Sequence, residues 1–550
     1  MFLQKPQPHH HAVIRRTFST VLTHVLLCAE FLPAVCSPRP HIVFMLADDM
    51  GWNDVSFHGS NQISTPNLDV LASEGIILHN YYTMQLCTPS RAALLSGLYP
   101  IRTGMQSGII GNSEPWGLPL NLKLIPEHFK DLGYEVHMIG KWHVGFFKTD
   151  YTPLRRGFDS FYGYYTGKAD YYDHTSGGLE HVGLDLRDNE TPEWGENGTY
   201  ATHLFTEKFI SLLEKHDKSK PFFGYFSHIA PHIAFNEDPF QAPEENVKKF
   251  SYIGDKDRSR YAGMVDALDE SVGAVVDALD RTGMLNDTII VFSSDNGAAL
   301  FGEDLNGGSC WPLRGYKGTL WEGGLRAPAF VWSARLKKQR RVSRQMMHIV
   351  DWLPTLYSAA GGRVSHLGPT DGVDMWHALS EGTTSPRQEI LHNIDPVSAA
   401  MALRVGRYKL LTQAPRNNSK NKSNRYPAKG TDLPLDDLVR LRASSRTAKV
   451  LRPMYGPLRH ETDKNWTRDA TVYCGPVASI SPPRKAPYLF DVERDPCETR
   501  NLAASHKKVL RSLYKKLSSY MSQMVPPRTQ PVDPRSYPEN FGGVWSPWLD

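Results

Sequence analysis

A cysteine and an arginine at the start of one apolar, helix-like segment form the most reactive stretch of this sequence. Cys87 opens the run Cys-Thr-Pro-Ser-Arg, and Pro89 suits the first turn of a helix because its missing N–H would be unpaired there. A side chain at such a helix start faces the positive end of the helix dipole, and Arg91 adds a fixed positive charge one turn later. The stretch is therefore suited to holding an anion, or a side chain that reacts with one.

Acidic and amide side chains follow two separate strand-like segments. Asp48 and Asp49 come directly after one apolar run, and Asp295 and Asn296 come directly after another. Polar residues at the carboxyl ends of buried strands meet at the edge where open α/β sheets bind ligands. Adjacent aspartates repel each other unless a cation or hydrogen bonds compensate them, and oxygen ligands of this kind suit Ca²⁺ or Mg²⁺. Asp-Asp-x-Gly alone is also typical of a turn, so the second strand end is what favours a metal site.

Basic residues follow three further segments. Lys141 and His143 end a strand-like segment in Lys-Trp-His-Val-Gly, and alternation places them on the same side of an extended chain. His228 and His232 follow another strand-like run, and Lys317 lies in a loop whose glycines and prolines suit a close approach to a ligand. Together these residues would surround an anion with positive charge and with groups that carry protons.

These motifs, taken in order, resemble the sulfatase family. The resemblance rests on Cys-Thr-Pro-Ser-Arg, Gly-Lys-Trp-His-x-Gly, a strand followed by Pro-His, the acidic strand ends and the Lys317 loop, and it covers about residues 40–390. It implies that Cys87 is oxidised by the formylglycine-generating enzyme to formylglycine, whose hydrate is the nucleophile. It also implies one bound divalent cation, usually Ca²⁺, with a ligand set of Asp48, Asp49, residue 87, Asp295 and Asn296.

The same resemblance assigns the remaining roles in hydrolysis of a sulfate monoester. The residues with catalytic roles are Cys87, Arg91, His143 and His232. The residues that bind the substrate are Lys141, His232 and Lys317. His232 or Lys317 would protonate the leaving oxygen, and His143 would take a proton from the second hydroxyl of the hydrate, which lets the sulfate depart.

The resemblance also implies the fold, an alkaline-phosphatase-like α/β architecture with a large mixed central sheet flanked by helices. We predict a catalytic domain over residues 37–390 and a smaller C-terminal domain over residues 391–550, with an antiparallel sheet and a helix. Apolar residues at helical spacing between 510 and 524 indicate that helix. The basic, poorly periodic stretch near 415–470 is interpreted as a polar loop insertion.

Composition and targeting features favour a secreted glycoprotein. A net charge of +4 over 550 residues gives no indication of nucleic-acid binding, and no later stretch approaches the ~20 apolar residues of a membrane span. Residues 1–36 resemble a signal peptide, which indicates a lysosomal or secreted destination. Cys474 and Cys497 flank a strand-like segment and could pair, although sequence alone does not prove the connectivity. Glycosylation sequons begin at Asn189, Asn197, Asn286, Asn417, Asn421 and Asn465.

Three further runs resemble the arylsulfatase B subfamily, namely 102–106, 311–315 and 543–548. They imply N-acetylgalactosamine 4-sulfate units of glycosaminoglycans as the substrate, with aryl sulfates as simpler ones. Two alternatives remain. A phosphohydrolase of the same superfamily would carry Ser or Thr at position 87 and ligands for two metal ions, and a non-catalytic secreted glycoprotein would have lost some of the ligands.

Overall fold

The computed structural model describes residues 1, 39–177, 180–301, 304–412, 428, 430–474 and 486–550. The predicted signal peptide, apart from Met1, and the sequons at Asn417 and Asn421 lie outside the described residues. Within the described part of the chain, none of the helices has the length and apolar character that crossing a membrane requires.

A ten-stranded mixed sheet forms the centre of the protein, and a four-stranded and a two-stranded sheet accompany it. The strands are β1 (His41–Ala47), β2 (Ile76–Tyr82), β3 (Glu135–Lys141), β4 (Ser160–Tyr164), β5 (Thr175–Gly177), β6 (Val182–Leu184), β7 (Arg187–Asp188), β8 (Thr191–Pro192), β9 (Phe222–Ser227), β10 (Thr288–Ser294), β11 (Ala329–Trp332), β12 (Arg341–His348), β13 (Glu389–Asp395), β14 (Ala400–Val405), β15 (Tyr408–Leu411) and β16 (Tyr488–Asp491).

Helices cover both faces of the large sheet, and short 3-10 turns connect many of the elements. The α-helices are α1 (Pro66–Glu74), α2 (Cys87–Ser96), α3 (Pro100–Thr103), α4 (Ile125–Asp131), α5 (Ala201–Lys215), α6 (Glu244–Lys248), α7 (Lys256–Arg281), α8 (Glu322–Leu325), α9 (Trp352–Ala359), α10 (Trp376–Glu381), α11 (Leu435–Ser444), α12 (Arg446–Tyr455), α13 (Arg459–Thr462) and α14 (Lys507–Met521).

The large sheet has the order β12-β2-β11-β10-β1-β9-β3-β4-β7-β8. Its five central strands, β10, β1, β9, β3 and β4, all run parallel, so their carboxyl ends meet at one edge. Side chains alternate between two buried apolar cores: on β1, Val43 and Met45 belong to one core, and Phe44 and Leu46 to the other. Strands that are buried on both faces explain the continuous apolar runs of the sequence.

A separate antiparallel sheet with the order β13-β14-β15-β16 follows the large sheet in the chain. Helix α14 contributes Leu513 and Leu517 to one of the two cores, as its apolar spacing predicted. The fold prediction, a large mixed sheet with helices and a small antiparallel sheet plus a helix, is confirmed. A disulfide joins Cys474 to Cys497, while Cys87 and Cys310 are free and buried.

The segment interpreted as a polar loop near 415–470 is instead helical over much of its described part, in α11, α12 and α13. Leu438 and Leu451 are fully buried, and Leu451 belongs to the same core as residues of α1 and α7. The basic residues misled the prediction because some of them have buried partners elsewhere in the chain. Arg442, for example, donates to the Asp69 carboxylate at 2.5 Å and lies over the ring of Trp466.

Candidate active site

The parallel strands bring the predicted site residues to one edge of the sheet. Asp48 and Asp49 follow β1, and Asp295 follows its neighbour β10, with Ala47 and Ser294 in register. Lys141 is the last residue of β3, on the other side of β9. Helix α2 begins at Cys87 and brings its first turn to the same edge. Every one of these side chains is buried.

Arg91 ties several of these elements together. Its guanidinium donates to Asp295 Oδ2 at 2.9 and 3.1 Å, to Ser227 Oγ at 2.5 Å and to the Lys141 carbonyl at 3.1 Å. It also lies 3.4 Å from Asp48 Oδ1. Burial would lower the pKa of Arg91, but Asp295 and Asp48 raise it further above its ordinary value. Arg91 is therefore a permanent positive charge that fixes the spacing of β3, β9 and β10 at their carboxyl ends.

The Cys87 sulfur lies against the paired aspartates. Its Sγ is 3.6 Å from Asp48 Oδ1 and 3.7 Å from Asp49 Oδ1. Burial, together with the charge of Asp295, raises the pKa of the Cys87 thiol well above its ordinary value. Cysteines that attack substrates directly have the opposite property, a lowered pKa that provides the thiolate. The unmodified thiol is thus poorly suited to be the nucleophile.

Two lysines reach the same pair of aspartates. Lys141 Nζ donates to Asp48 Oδ2 at 2.7 Å, and Lys317 Nζ donates to Asp49 Oδ2 at 2.7 Å. Burial would raise the pKa of Asp48, but Lys141, His232 and Arg91 outweigh it and hold that pKa below its ordinary value. Asp48 is consequently ionised, as a ligand for a cation must be.

His143 has a protonation state that its contacts determine. It follows β3 with a left-handed backbone (φ 56°), a conformation that residues other than glycine adopt rarely. Its Nε2 lies 3.1 Å from the Ile110 carbonyl, which can only accept, so Nε2 carries the proton. Its Nδ1 is buried and finds no hydrogen-bond partner among the described residues. Burial, with Lys141 and Arg91, holds the pKa of His143 well below its ordinary value, which leaves a neutral imidazole with a free lone pair.

The two histidines after β9 differ in their surroundings. His232 Nδ1 donates to the Ile233 carbonyl at 2.8 Å, and its Nε2 faces the site, 3.3 Å from Lys317 Nζ and 3.4 Å from Asp49 Oδ2. His228 is fully buried and packs against the Phe226 ring at 3.9 Å. Burial lowers the pKa of His228 to about 3. The structure thus brings His232 to the site and keeps His228 in the core.

The residues present fit a hard divalent cation. Asp48, Asp49, Cys87 and His232 each offer a ligand atom, and these atoms lie within 4.8 Å of one another. Asn296 Oδ1 is buried without a hydrogen-bond partner in the described part of the chain, while its Nδ2 points at Asp49 Oδ1, 2.6 Å away. The two orientations of an amide are assigned from its contacts, and a cation beside Asp49 would favour the orientation with Oδ1 inward.

Asp295 differs from the expected pure metal ligand. Its Oδ2 accepts hydrogen bonds from Arg91, and its Oδ1 accepts the Asp49 N–H at 3.2 Å. Burial and the neighbouring Asp48 raise the pKa of Asp295. His232, which was not expected among the ligands, lies instead within the cluster.

Three contributors to this edge were not predicted from the sequence. Ser227, the last residue of β9, accepts from Arg91, and Asn306 donates to the Asp49 carbonyl at 2.9 Å. Asp304 lies at the solvent-facing side of the site, the mouth, and its Oδ2 is 3.0 Å from Lys317 Nζ. A serine at a strand end and polar residues in a glycine-rich loop are common, so only their position next to the other motifs could have indicated them.

An edge built in this way suits one class of protein, an α/β enzyme that binds a small tetrahedral anion between basic side chains and a cation. The model of the family described as Sulfatase matches residues 40–362. The chain is 39% identical over 530 residues to mouse arylsulfatase J, covering 93% of this chain and 80% of that protein. It is 32% identical to mouse N-acetylgalactosamine-6-sulfatase, covering 72% of this chain and 76% of that protein.

A similar fold is found in the crystal structure of Ps i-CgsB. The two structures agree with a TM-score of 0.69 at 25% sequence identity, over 89% of this chain and 94% of that one. The protein belongs to the sulfatase family and is an enzyme that hydrolyses sulfate esters.

Proposed function

We propose that this sulfatase removes sulfate from N-acetylgalactosamine 4-sulfate units of glycosaminoglycans, with a formylglycine derived from Cys87 and a bound Ca²⁺. The observation that carries the proposal is the convergence of Cys87, two cation-binding aspartates and three basic side chains at one buried edge. A sulfate monoester needs positive charge around its oxygens, a nucleophile in line with the leaving group and a proton for the departing alcohol. Each requirement has a candidate at this edge.

The positive charge comes from Arg91, Lys141 and Lys317. Arg91 is fixed by its contacts with three strand ends, and Lys141 is fully buried against Asp48, so neither must reorganise when the anion arrives. Lys317 is the most accessible of the three, at 9% exposure. We assign Lys141, Lys317 and His232 to the binding of the sulfate oxygens.

Modification of Cys87 supplies the nucleophile. As formylglycine, residue 87 would provide a hydrated aldehyde with one hydroxyl for attack on sulfur and another for release of the sulfate. Cys87 is only 1% exposed in the folded protein. The formylglycine-generating enzyme must therefore reach this residue before folding is complete.

We place the cation between Asp48, Asp49, Asn296 and residue 87. Asp295, which also accepts hydrogen bonds from Arg91, completes the proposed ligand set. A divalent cation there would supply positive charge beside the nucleophile and would remove the repulsion between the adjacent aspartates. Oxygen ligands favour Ca²⁺ or Mg²⁺ over softer metals. Among these we propose Ca²⁺.

A histidine and a lysine move protons, and a second histidine positions the lysine. His143, neutral and with an unshared Nδ1 lone pair, is suited to take a proton from a hydroxyl at residue 87. His232 directs Nε2 toward Lys317, so this pair lies where the leaving oxygen would need a proton. We assign Lys317 as the proton donor and His232 as the residue that positions it, because the His232 ring donates its Nδ1 proton to the Ile233 carbonyl and accepts from Lys317 at Nε2.

Passage through the secretory pathway agrees with the surface of the molecule. The disulfide between Cys474 and Cys497 requires an oxidising compartment. The sequon residues Asn197, Asn286 and Asn465 are exposed. We propose delivery to lysosomes or to the extracellular space.

Hydrolysis of a panel of sulfated sugars tests the substrate. The relative named N-acetylgalactosamine-6-sulfatase makes the 6-sulfate the competing candidate. Purified protein from a secretory host would be given N-acetylgalactosamine 4-sulfate, N-acetylgalactosamine 6-sulfate, glucosamine 6-sulfate and an aryl phosphate. We expect the highest kcat/KM on the 4-sulfate. A preference for the 6-sulfate would replace the proposed substrate, and turnover of the phosphate alone would contradict the sulfatase reading.

A further inference from the structure

Asp304 lies two residues before Asn306, which is anchored at the base of the site. The Asn306 N–H donates to the Ala299 carbonyl at 2.9 Å, and the Asn306 side chain is fully buried against the Asp49 carbonyl. The Lys317 N–H donates to the neighbouring Ala298 carbonyl at 3.0 Å. The backbone next to Asp304 and the backbone of Lys317 are therefore held by adjacent carbonyls.

Asp304 occupies a hydrogen-bonding position that an incoming sulfate needs. The three N–H groups of Lys317 match three acceptors: Asp49 Oδ2 at 2.7 Å, Asp304 Oδ2 at 3.0 Å and His232 Nε2 at 3.3 Å. A sulfate oxygen can bind Lys317 only by replacing one of them. Asp304 is the outermost, with a side chain 26% exposed, whereas the Asp49 side chain is fully buried.

A second lysine would hold Asp304 at the solvent-facing side of the site after a sulfate displaces the carboxylate from Lys317. Lys168 Nζ lies 3.2 Å from Asp304 Oδ1, the oxygen that does not contact Lys317. The Lys168 carbonyl accepts hydrogen bonds from Thr166 and Ser176, which fixes the backbone of that lysine. After the sulfate takes its place on Lys317, the Asp304 carboxylate would thus stay beside Lys168, close to the sugar that carries the sulfate.

We propose that Asp304, held by Lys168, is a specificity-determining residue of this enzyme. Its carboxylate gives up the Lys317 N–H to the incoming sulfate. It then accepts a hydrogen bond from a hydroxyl or acetamido N–H of the sugar. A second sulfate or a carboxylate on the sugar at the position of that hydroxyl or acetamido group would be repelled. The site therefore selects a sugar ring with one sulfate over a ring with two. This inference deepens the proposed function and rests on it for the identity of the sugar.

Kinetics on two sugars test the selection. Wild-type enzyme is expected to prefer N-acetylgalactosamine 4-sulfate over the 4,6-disulfate by about tenfold in kcat/KM, because a like charge at the mouth disfavours the second sulfate. Asp304→Asn keeps an oxygen acceptor and removes the charge, so the preference should fall to about threefold or less, through KM rather than kcat. A wild-type ratio near one, or an unchanged ratio in the variant, would overturn the proposal.

Binding of inorganic sulfate tests the displacement separately from any sugar. In calorimetric titrations of the holoenzyme with sodium sulfate, Asp304→Asn should bind about tenfold more tightly than wild type, because sulfate no longer competes with a carboxylate for Lys317. Equal or weaker binding would overturn the proposal, even if the sugar proves to be a different one. Asp277→Asn is the matched control, since Asp277 is an exposed aspartate paired with Arg281 on α7, and it should match wild type in both experiments.

Discussion

Two of the clusters of buried charge among the described residues differ in what surrounds them. At the edge of the large sheet, acidic and basic groups crowd together, yet Asn296 Oδ1 and His143 Nδ1 have no partner within the described residues. Beneath the small sheet, Lys409 Nζ lies 2.9 Å from a carboxylate oxygen of Glu322 and 2.9 Å from one of Glu498, and all three are fully buried.

Further hydrogen bonds connect the groups of the second cluster. Tyr82 donates to the remaining oxygen of Glu322 at 2.7 Å and accepts from Arg404 at 2.5 Å. Glu498 Oε2 accepts the Glu322 N–H at 2.8 Å. Its polar groups thus hold β14 and β15 of the small sheet against β2 and α8. Burial of charge therefore does not by itself mark an active site. The edge of the large sheet differs in that Asn296 Oδ1, unpartnered among the described residues, lies next to the aspartates that contact Cys87.

The largest expected effect comes from removing the Cys87 side chain at the active edge, the edge of the large sheet where the carboxyl ends of its parallel strands meet. Cys87→Ala deletes the precursor of the nucleophile, so kcat should fall by on the order of 10³-fold or more, as for other enzymes that lose their nucleophile. The unfolding midpoint should change little because the Cys87 sulfur makes only long contacts with Asp48 and Asp49. Steady-state kinetics on an aryl sulfate measure kcat, and a thermal melt measures the unfolding midpoint. A variant with more than a tenth of wild-type activity would contradict the assignment.

Removing the cation should affect activity and stability together. After chelation and dialysis, only the neighbouring basic side chains offset the repulsion between Asp48 and Asp49, so both activity and the unfolding midpoint should fall. Ligand linkage gives about 2.7 kcal/mol of stabilisation at a free cation concentration 100 times Kd. Melting curves with and without added Ca²⁺, alongside metal analysis, provide the measurement. Full activity in protein shown to be metal-free would contradict the cation site.

Breaking the second cluster should cost stability and leave the chemistry intact. Lys409→Met leaves Glu322 and Glu498 buried without their shared cation, which is expected to cost about 3–5 kcal/mol of unfolding free energy. The kcat of the folded fraction should stay within about threefold of wild type, because Lys409 makes no contact with the site residues. Chemical denaturation and active-site-normalised kinetics measure these quantities. Loss of kcat without loss of stability would reverse the proposed roles of the two clusters.

The smallest expected effect is a pH dependence within the second cluster. Burial raises the pKa of Glu498 to about 7, from 4.5, with Lys409 opposing and Glu322 adding to the shift. The folded state therefore holds a proton that the unfolded chain releases, and this stabilisation is full below pH 4.5 and lost as the pH rises through 7. Burial keeps the pKa of nearby His392 well below its ordinary value, so this histidine does not titrate in the same window.

Glu498→Gln tests this dependence because glutamine still accepts the Glu322 N–H and has no proton to lose. Between pH 5 and pH 8, wild-type protein should lose about 1–3 kcal/mol more stability than the variant. Melting midpoints across that range give the comparison, with Glu493→Gln, an exposed glutamate of the same region, as a control. Parallel curves for wild type and Glu498→Gln would show that Glu498 is ionised throughout.

The sequence allowed the fold class and the members of the active edge to be predicted because the motifs that carry the family resemblance are short and local. An apolar run that ends in Asp48 and Asp49 is readable without knowledge of its neighbours. The contact of Arg91 with Asp295 cannot be predicted in this way, since it joins residues separated by 204 positions and depends on how α2 packs across the sheet. The Asp304 loop likewise has no periodic pattern, and its role follows only from its distance to Lys317.

The helices α11 to α13 illustrate a different limit. The sequence indicated that their arginines are exposed, because a basic side chain without an acidic partner nearby in the chain is most often solvated. Arg442 is instead 4% exposed and paired with Asp69, a residue of α1. Partners so far apart in the chain are revealed only by the fold.

The mass of the proteolytic peptide that contains Cys87 tests the central claim most directly. In protein from a secretory host, we predict that this peptide is about 18 Da lighter than the unmodified sequence, the difference between a thiol side chain and an aldehyde. A peptide carrying only unmodified cysteine, in a protein that nevertheless hydrolyses sulfate esters, would contradict the account.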